Sequence, residues 1–313
     1  MATMLAGATL FDGAILVIDA TVPCPQPQTR EHLKALEVLG VKNVVVVQNK
    51  IEVVSKEKVV ENYRQIKEFL KDTALRDAPI VPISALHRAN LDVLIETIEK
   101  TIPTPKRDTS KPLRALIARS FDINKPGTPP EELKGGVLGG SIIQGIARVS
   151  DEIEIRPGIR IEKGGKVEYE PLFTELVSLK AGDVDVEEAR PGGLIGFGTS
   201  LDPSITKADS LAGSVIGKPG TLPPTLFELS LEVVLFEKAV GTVEMVKVES
   251  IKPNEVLMIN VGTATTLGTV TKSSKDIVSL KLRRPVCAEA GTRVAVSRQI
   301  ASRFRLIGYG VIR

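Results

Sequence analysis

Val44-Val45-Val46-Val47-Gln48-Asn49-Lys50-Ile51-Glu52 is the stretch whose reading decides the fold. Four consecutive β-branched apolar residues that give way at once to polar ones describe a strand buried on both faces, with its carboxyl end opening onto a polar loop. In open α/β sheets ligands bind at that end of the strands. Asn49, Lys50 and Glu52 are therefore the first candidates to touch a small molecule.

The surrounding chain repeats the theme. Residues 1–10 read as a small-residue helix, and Ala14-Ile15-Leu16-Val17-Ile18-Asp19 reads as a second buried strand with a carboxylate at its end. Past Pro23, Pro25 and Pro27, residues 28–39 carry Leu33, Leu36 and Leu39 at helical spacing and stop at Gly40. Ser55 is an N-cap candidate for a helix reaching about Lys71, with Val59, Ile66 and Leu70 on one face. A third apolar run, 80–83, ends at Ser84-Ala85-Leu86, and residues 90–100 form a further helix with Leu91, Leu94, Ile95 and Ile98 as its stripe. Strands alternating with helices predict a parallel, doubly wound sheet.

Residues 101–112 have linker composition, with Pro103, Pro105 and Pro112 among charged residues. Beyond them helical periods cease. Short β-rich runs at 113–119, 141–149, 152–155, 193–197 and 214–216 are separated by Gly and Pro. A second boundary at 217–224 precedes further runs at 226–236, 241–248, 255–261, 265–271, 277–282, 293–299 and 303–312. The expected fold class is α/β followed by two all-β barrel domains, divided as 1–105, 112–220 and 221–313.

Composition narrows the chemistry. The 313 residues are 42% apolar and 25% charged, which describes a soluble globular protein of two or three domains. Aromatics make up 4% and Trp is absent, so stacking platforms for bases or sugars are scarce. Cys24 and Cys287 share no zinc-type spacing, and His32 and His87 are isolated, so no metal site is assigned. The apolar N-terminus has no basic n-region and carries Asp12 and Asp19, and no uncharged apolar run is long enough to span a bilayer. No membrane partner and a cytoplasmic location are expected. From Lys272 to Arg313 ten Lys and Arg face only Asp276 and Glu289, in a chain whose net charge is +3. The C-terminal unit is the basic end, which suits either an RNA-binding face or a merely solvated barrel surface.

Asn49-Lys50-Ile51-Glu52 followed by Ser84-Ala85-Leu86, each after a buried strand, resembles the two base-recognition motifs of a GTPase. Guanine presents adjacent donors and an acceptor, which a loop carboxylate and a backbone N–H in the next loop can meet. The runs 1–5, 24–32, 120–127 and 192–196 narrow the likeness over essentially the whole chain to the gamma-subunit family of archaeal and eukaryotic translation initiation factor 2. That resemblance implies an elongation factor Tu-like GTPase that carries initiator methionyl-tRNA to the small ribosomal subunit in a heterotrimer with alpha and beta subunits. It implies nucleotide-binding roles for Asn49, Lys50, Glu52, Ser84, Ala85 and Leu86, with GTP/GDP as ligand and Mg2+ expected for the family. Selenocysteine elongation factors, which share the domain plan, and a non-enzymatic tRNA- or subunit-binding module are the competing readings.

Two departures qualify the resemblance. The sequence has neither a Gly-x-x-x-x-Gly-Lys-Ser/Thr phosphate loop nor an Asp-x-x-Gly turn, so its GTPase-type sheet is expected to be incomplete, its Mg2+ ligands absent, its nucleotide affinity weak and hydrolysis missing. A gene model or true truncation that shortens the chain at Met1 would explain this, and would leave the 14–19 strand as an unprotected edge. Glu52 stands where Asp is usual. No catalytic residue is assigned, and Asp19, Asp122, Asp183 and Asp185 read as local hydrogen-bonding residues at strand ends and turns.

Overall fold

The computed structural model describes residues 2–239 and 246–313. Its first unit comprises α1 (Ala2–Ala8), β1 (Ala14–Asp19), α2 (Pro27–Leu39), β2 (Val44–Asn49), α3 (Lys56–Leu70), β3 (Ile80–Pro82) and α4 (Leu91–Thr101). The strands form a parallel sheet in the order β1-β2-β3, with Asp19 opposite Asn49 and Gln48 opposite Pro82.

The four valines explain the layering, because successive side chains of a strand point to opposite faces. Val44 and Val46 enter a core with Leu33 and Leu36 of α2 and Ile66 and Leu70 of α3. Val45 and Val47 pack instead with Val81, Ile83 and the Leu91, Leu94 and Ile98 stripe of α4. Ile95, expected in that stripe, is 62% exposed, since it lies one position past Leu94 and turns off the buried arc. On α3 the buried positions are Asn62, Ile66 and Leu70, with Val59 only half-buried. Ser55 caps that helix by accepting the Lys58 amide. Gly40 ends α2 at φ 73°, the left-handed conformation that glycine adopts without a Cβ penalty. Among the described residues β1 pairs with β2 alone, and Ile15 and Val17 are exposed on it.

The second unit is built from β4 (Arg114–Phe121), β5 (Val137–Gln144), β6 (Ala147–Arg148), β7 (Glu152–Lys163), β8 (Lys166–Ala181), β9 (Val184–Val186), β10 (Glu188–Ala189), β11 (Ile195–Thr199) and β12 (Val215–Gly217). Strand β11 pairs with both β5 and β8, so the sheet closes on itself around Ile117, Leu138, Ile153 and Phe197. The run expected over 141–149 divides into β5 and β6 at Gly145, which has φ 73°. The sixteen-residue β8 is the longest strand, and no apolar run announces it. The third unit, β13 (Thr225–Leu235), β14 (Val256–Val261), β15 (Ala264–Ser273), β16 (Ile277–Cys287), β17 (Arg293–Ile300) and β18 (Arg303–Ile312), is a closed antiparallel barrel. The strand expected over 241–248 falls largely outside the described residues.

Helix α2 is buried on two sides. Leu33 and Leu36 face the sheet, whereas Ala35 and Val38 meet Leu5, Ala295 and Leu306 in a seam with the last barrel. Glu31 and Arg305 pair across that seam at 2.6 Å, and Arg293 donates to the Val38 carbonyl at 3.3 Å. The two barrels join through Val215, Leu222 and Cys287, with an Arg114–Glu289 ion pair at 2.8 Å.

Candidate functional site

Parallel pairing ends β1, β2 and β3 side by side, and their carboxyl ends bring the predicted site residues together. Asn49, the last residue of β2, turns its side chain toward β3, where Oδ1 accepts the Ala85 backbone N–H at 3.1 Å. Lys50 follows at φ 64° and turns the other way, toward β1. Its Nζ lies 2.6 Å from Asp19 Oδ2. The end of β2 is thus joined to the segments on both sides of it.

Glu52 lies on the surface in a short 3-10 helix over Ile51–Val53. Its own backbone N–H, then the Ser84 hydroxyl, and the charges of His87 and Lys50 hold its carboxyl below the usual range. At neutral pH it is an acceptor only, the state needed to receive two neighbouring donors. Ser84 is buried, exchanges backbone hydrogen bonds with Ala89, and accepts the His87 amide on its hydroxyl at 3.1 Å. Those bonds fold the Ser84–Ala89 loop back on itself. Leu86, 77% exposed, stands at its rim.

Supports for this platform come from residues that the sequence reading passed over. Gln48 is buried beside Asn49 and donates to the Val59 carbonyl and to Asn62 Oδ1, both at 2.9 Å. Asn62 in turn donates to the Val22 carbonyl at 2.9 Å. The segment after β1 is thereby tied to α3. Asp19 accepts the Thr21 amide and hydroxyl at 2.8 and 2.7 Å, the local turn expected of it. Its pairing with Lys50 was not expected, although a carboxylate ending the strand next to Asn-Lys is a legible signal. The Lys50 bond and then the Thr21 hydroxyl hold the Asp19 carboxyl down at about 2.

Asp122 accepts from the Asn124 amide in a local turn. Cys24 and His32 line a cavity of about 250 Å3 beside β1 with Val17 and Gln28. Burial pushes the Cys24 and Cys287 thiols up to about 11, so both stay protonated near neutrality. Among the described residues no three His, Cys, Asp or Glu side chains converge on a metal-sized site. Among the described residues no helix is long and apolar enough to cross a membrane.

Residues 1–104 match the family model described as "Elongation factor Tu GTP binding domain", and residues 227–312 match "Initiation factor eIF2 gamma, C terminal". "Translation initiation factor 2 subunit gamma" of Pyrococcus furiosus is 64% identical over 313 residues, covering all of this chain and 76% of that protein. The proteins of that name from Methanothermobacter thermautotrophicus and Aeropyrum pernix are 60% and 58% identical, over 77% and 76% of their lengths. Among solved structures, the translation elongation factor SelB of Methanococcus maripaludis in complex with the GTP analogue GppNHp superposes with a TM-score of 0.75 at 20% identity. That match covers all of this chain and 67% of SelB. A bacterial selenocysteine-specific elongation factor gives 0.77 at 22%, over 98% of this chain and 46% of that one. These structures share the fold of an α/β unit followed by two barrels, whereas sequence identity runs to the initiation factor rather than to the selenocysteine factors. The chain belongs to the family of translation initiation factor 2 gamma subunits, translational GTPases of the elongation factor Tu type.

Proposed function

We propose that this chain reads the guanine base of GTP and GDP at the carboxyl ends of its parallel strands and, through its two barrels, carries initiator methionyl-tRNA to the small ribosomal subunit. The observation that carries the reading is the Asn49 Oδ1 to Ala85 N–H bond of 3.1 Å, which couples the two base-recognition loops. Glu52 then accepts from the ring N–H and amino group of guanine. The Ser84 and Ala85 amides are taken by the Ala89 carbonyl and Asn49 Oδ1, so the Leu86 backbone N–H is the donor of this segment that faces the guanine carbonyl, and the Lys50 stem and Leu86 flank the ring.

The partners follow from the family. Alpha and beta subunits complete a heterotrimer in the cytoplasm, and the basic last barrel, unit 221–313, offers cations to RNA phosphates. Hydrolysis is assigned to no residue of these 313. They supply base recognition and carriage.

Two measurements test the proposal. Replacing an acceptor-only carboxylate with an amide, Glu52→Gln, places a donor opposite the purine 2-position. The variant is expected to lose affinity for guanosine nucleotides and gain it for xanthosine nucleotides. An unchanged preference would remove Glu52 from the site. Separately, the chain is expected to bind methionyl initiator tRNA in preference to an elongator tRNA; equal binding would contradict the initiation role.

A further inference from the structure

The Asp19–Lys50 pair goes beyond what the base-recognition motifs require. Asp19 ends β1, and its register partner across the parallel seam is Asn49. Its two oxygens have separate tasks. Oδ1 receives the Thr21 amide and hydroxyl at 2.8 and 2.7 Å, and Oδ2 receives Lys50 Nζ at 2.6 Å. The carboxylate is therefore seated by its own loop before it meets the lysine.

That loop is itself fixed on two sides. The Ala20 amide donates to the Asn49 carbonyl at 2.9 Å, and Asn62 holds the Val22 carbonyl at 2.9 Å. A freely rotating lysine has about as much side-chain entropy to lose as any residue. Here the left-handed backbone at Lys50 sends the side chain toward β1, and Asp19 captures its end.

Magnitudes decide what such a pair is for. The two side chains are 31% and 53% exposed, and ion pairs that open to water contribute little to folding stability. Immobilising the lysine before a ligand arrives has a larger consequence, because a wall already in place costs nothing to order on binding.

We propose that Asp19 is a positioning residue of the base slot: seated by Thr21, it pins the Lys50 ammonium so that the lysine stem forms a preformed wall on the β1 side. The Ser84–Ala89 loop forms the opposite side, and Asn49 spans between them. This rests on the base-recognition reading given above. A consequence is that Lys50, already paired, is withheld from the phosphates and serves the base alone.

Four forms of the 313-residue chain test this: the parent, Asp19→Asn, Lys50→Met and the double variant, each titrated with GDP and followed by amide chemical shifts. Asn at 19 keeps the Thr21 contacts and loses the charge, and Met at 50 keeps an apolar stem and loses the ammonium. Asp19→Asn is expected to weaken GDP binding about 2- to 10-fold in the parent background, the range for releasing one side chain. In the Lys50→Met background the same change is expected to do nothing, with melting temperatures of all four forms within a few degrees of one another. Equal weakening in both backgrounds would overturn the proposal in favour of a loop effect through Thr21. Unchanged or tighter binding by Asp19→Asn alone, with the parent still binding GDP, would overturn the positioning role and leave the base site standing. Absence of GDP binding by the unsubstituted chain would overturn the base-site reading and this role with it.

Discussion

Asn49 reaches across from the end of β2 to accept the Ala85 amide at 3.1 Å, a side-chain tie between the loops after β2 and β3 that adds to the backbone bond from the Ile51 amide to the Ile83 carbonyl at 3.5 Å. Removing Asn49 leaves the Ala85 N–H to find water. Asn49→Ala is expected to accelerate hydrogen exchange of the Ala85 amide by about fivefold, the equivalent of roughly 1 kcal/mol for one hydrogen bond. Exchange at Val46 and Val47, deep in the sheet, is expected to stay slow. Equal acceleration at both places would mean that Asn49 supports the whole sheet and not the loop.

The Asp19 carboxyl, held down at about 2 by Lys50 and then Thr21, makes a prediction about acid. A carboxylate whose folded pKa lies below its ordinary 3.8 adds stability above that value and loses it as pH falls through the folded one. The parent is therefore expected to be more stable than Asp19→Asn at pH 5 to 7, by no more than about 1 kcal/mol because the pair is partly exposed. The difference is expected to shrink below about pH 4 and to fall to a small fraction near pH 2, where the folded carboxyl is half protonated. Thermal melts of both forms across that range measure it; a difference undiminished at pH 2 would assign the effect to shape instead of charge.

Glu154 gives the sharpest stability test. It is 1% exposed at the joint of the two barrels, accepting from Arg156 Nε at 2.5 Å and from the Gly220 amide at 2.8 Å. Arg156 also donates to the Pro223 carbonyl, so the pair fastens the connecting segment to β7. Arg156→Ala strands a buried carboxylate and is expected to cost about 3–5 kcal/mol. Glu154→Ala leaves an arginine that still reaches water, and is expected to cost less, about 2 kcal/mol. Denaturant midpoints for the two variants check the order, and the reverse order would contradict this account of the joint.

The first unit was legible because its signals are local and redundant. The valine run, the Ser55 cap and the Gly40 stop each fix an element without reference to the rest of the chain. The barrels were legible as β-rich units, and their strand limits were not. In β8, Phe173 and Val177 point outward beside polar neighbours, so periodicity gives no clear face. Ile95 was misassigned because a stripe one residue too wide still looks amphipathic on paper. At the site, Asn49, Lys50, Glu52 and Ser84–Leu86 could be named from their order after strands. Gln48 and Asn62 could not, since their roles depend on partners 14 and 40 positions away that only the packed sheet brings close, whereas Asp19 was legible as a strand-end carboxylate and its lysine partner 31 positions away was not.

The central claim is that the ends of β2 and β3 together read guanine. Titrating the 313-residue chain with GDP and with ADP while following the Asn49 side-chain amide and the Leu86 backbone amide tests it most directly. Saturable shifts are expected at both positions with GDP, none with ADP, and none at the Leu86 amide with GDP after Asn49→Ala. Equal response to GDP and ADP, or GDP binding that survives Asn49→Ala undiminished, would contradict it.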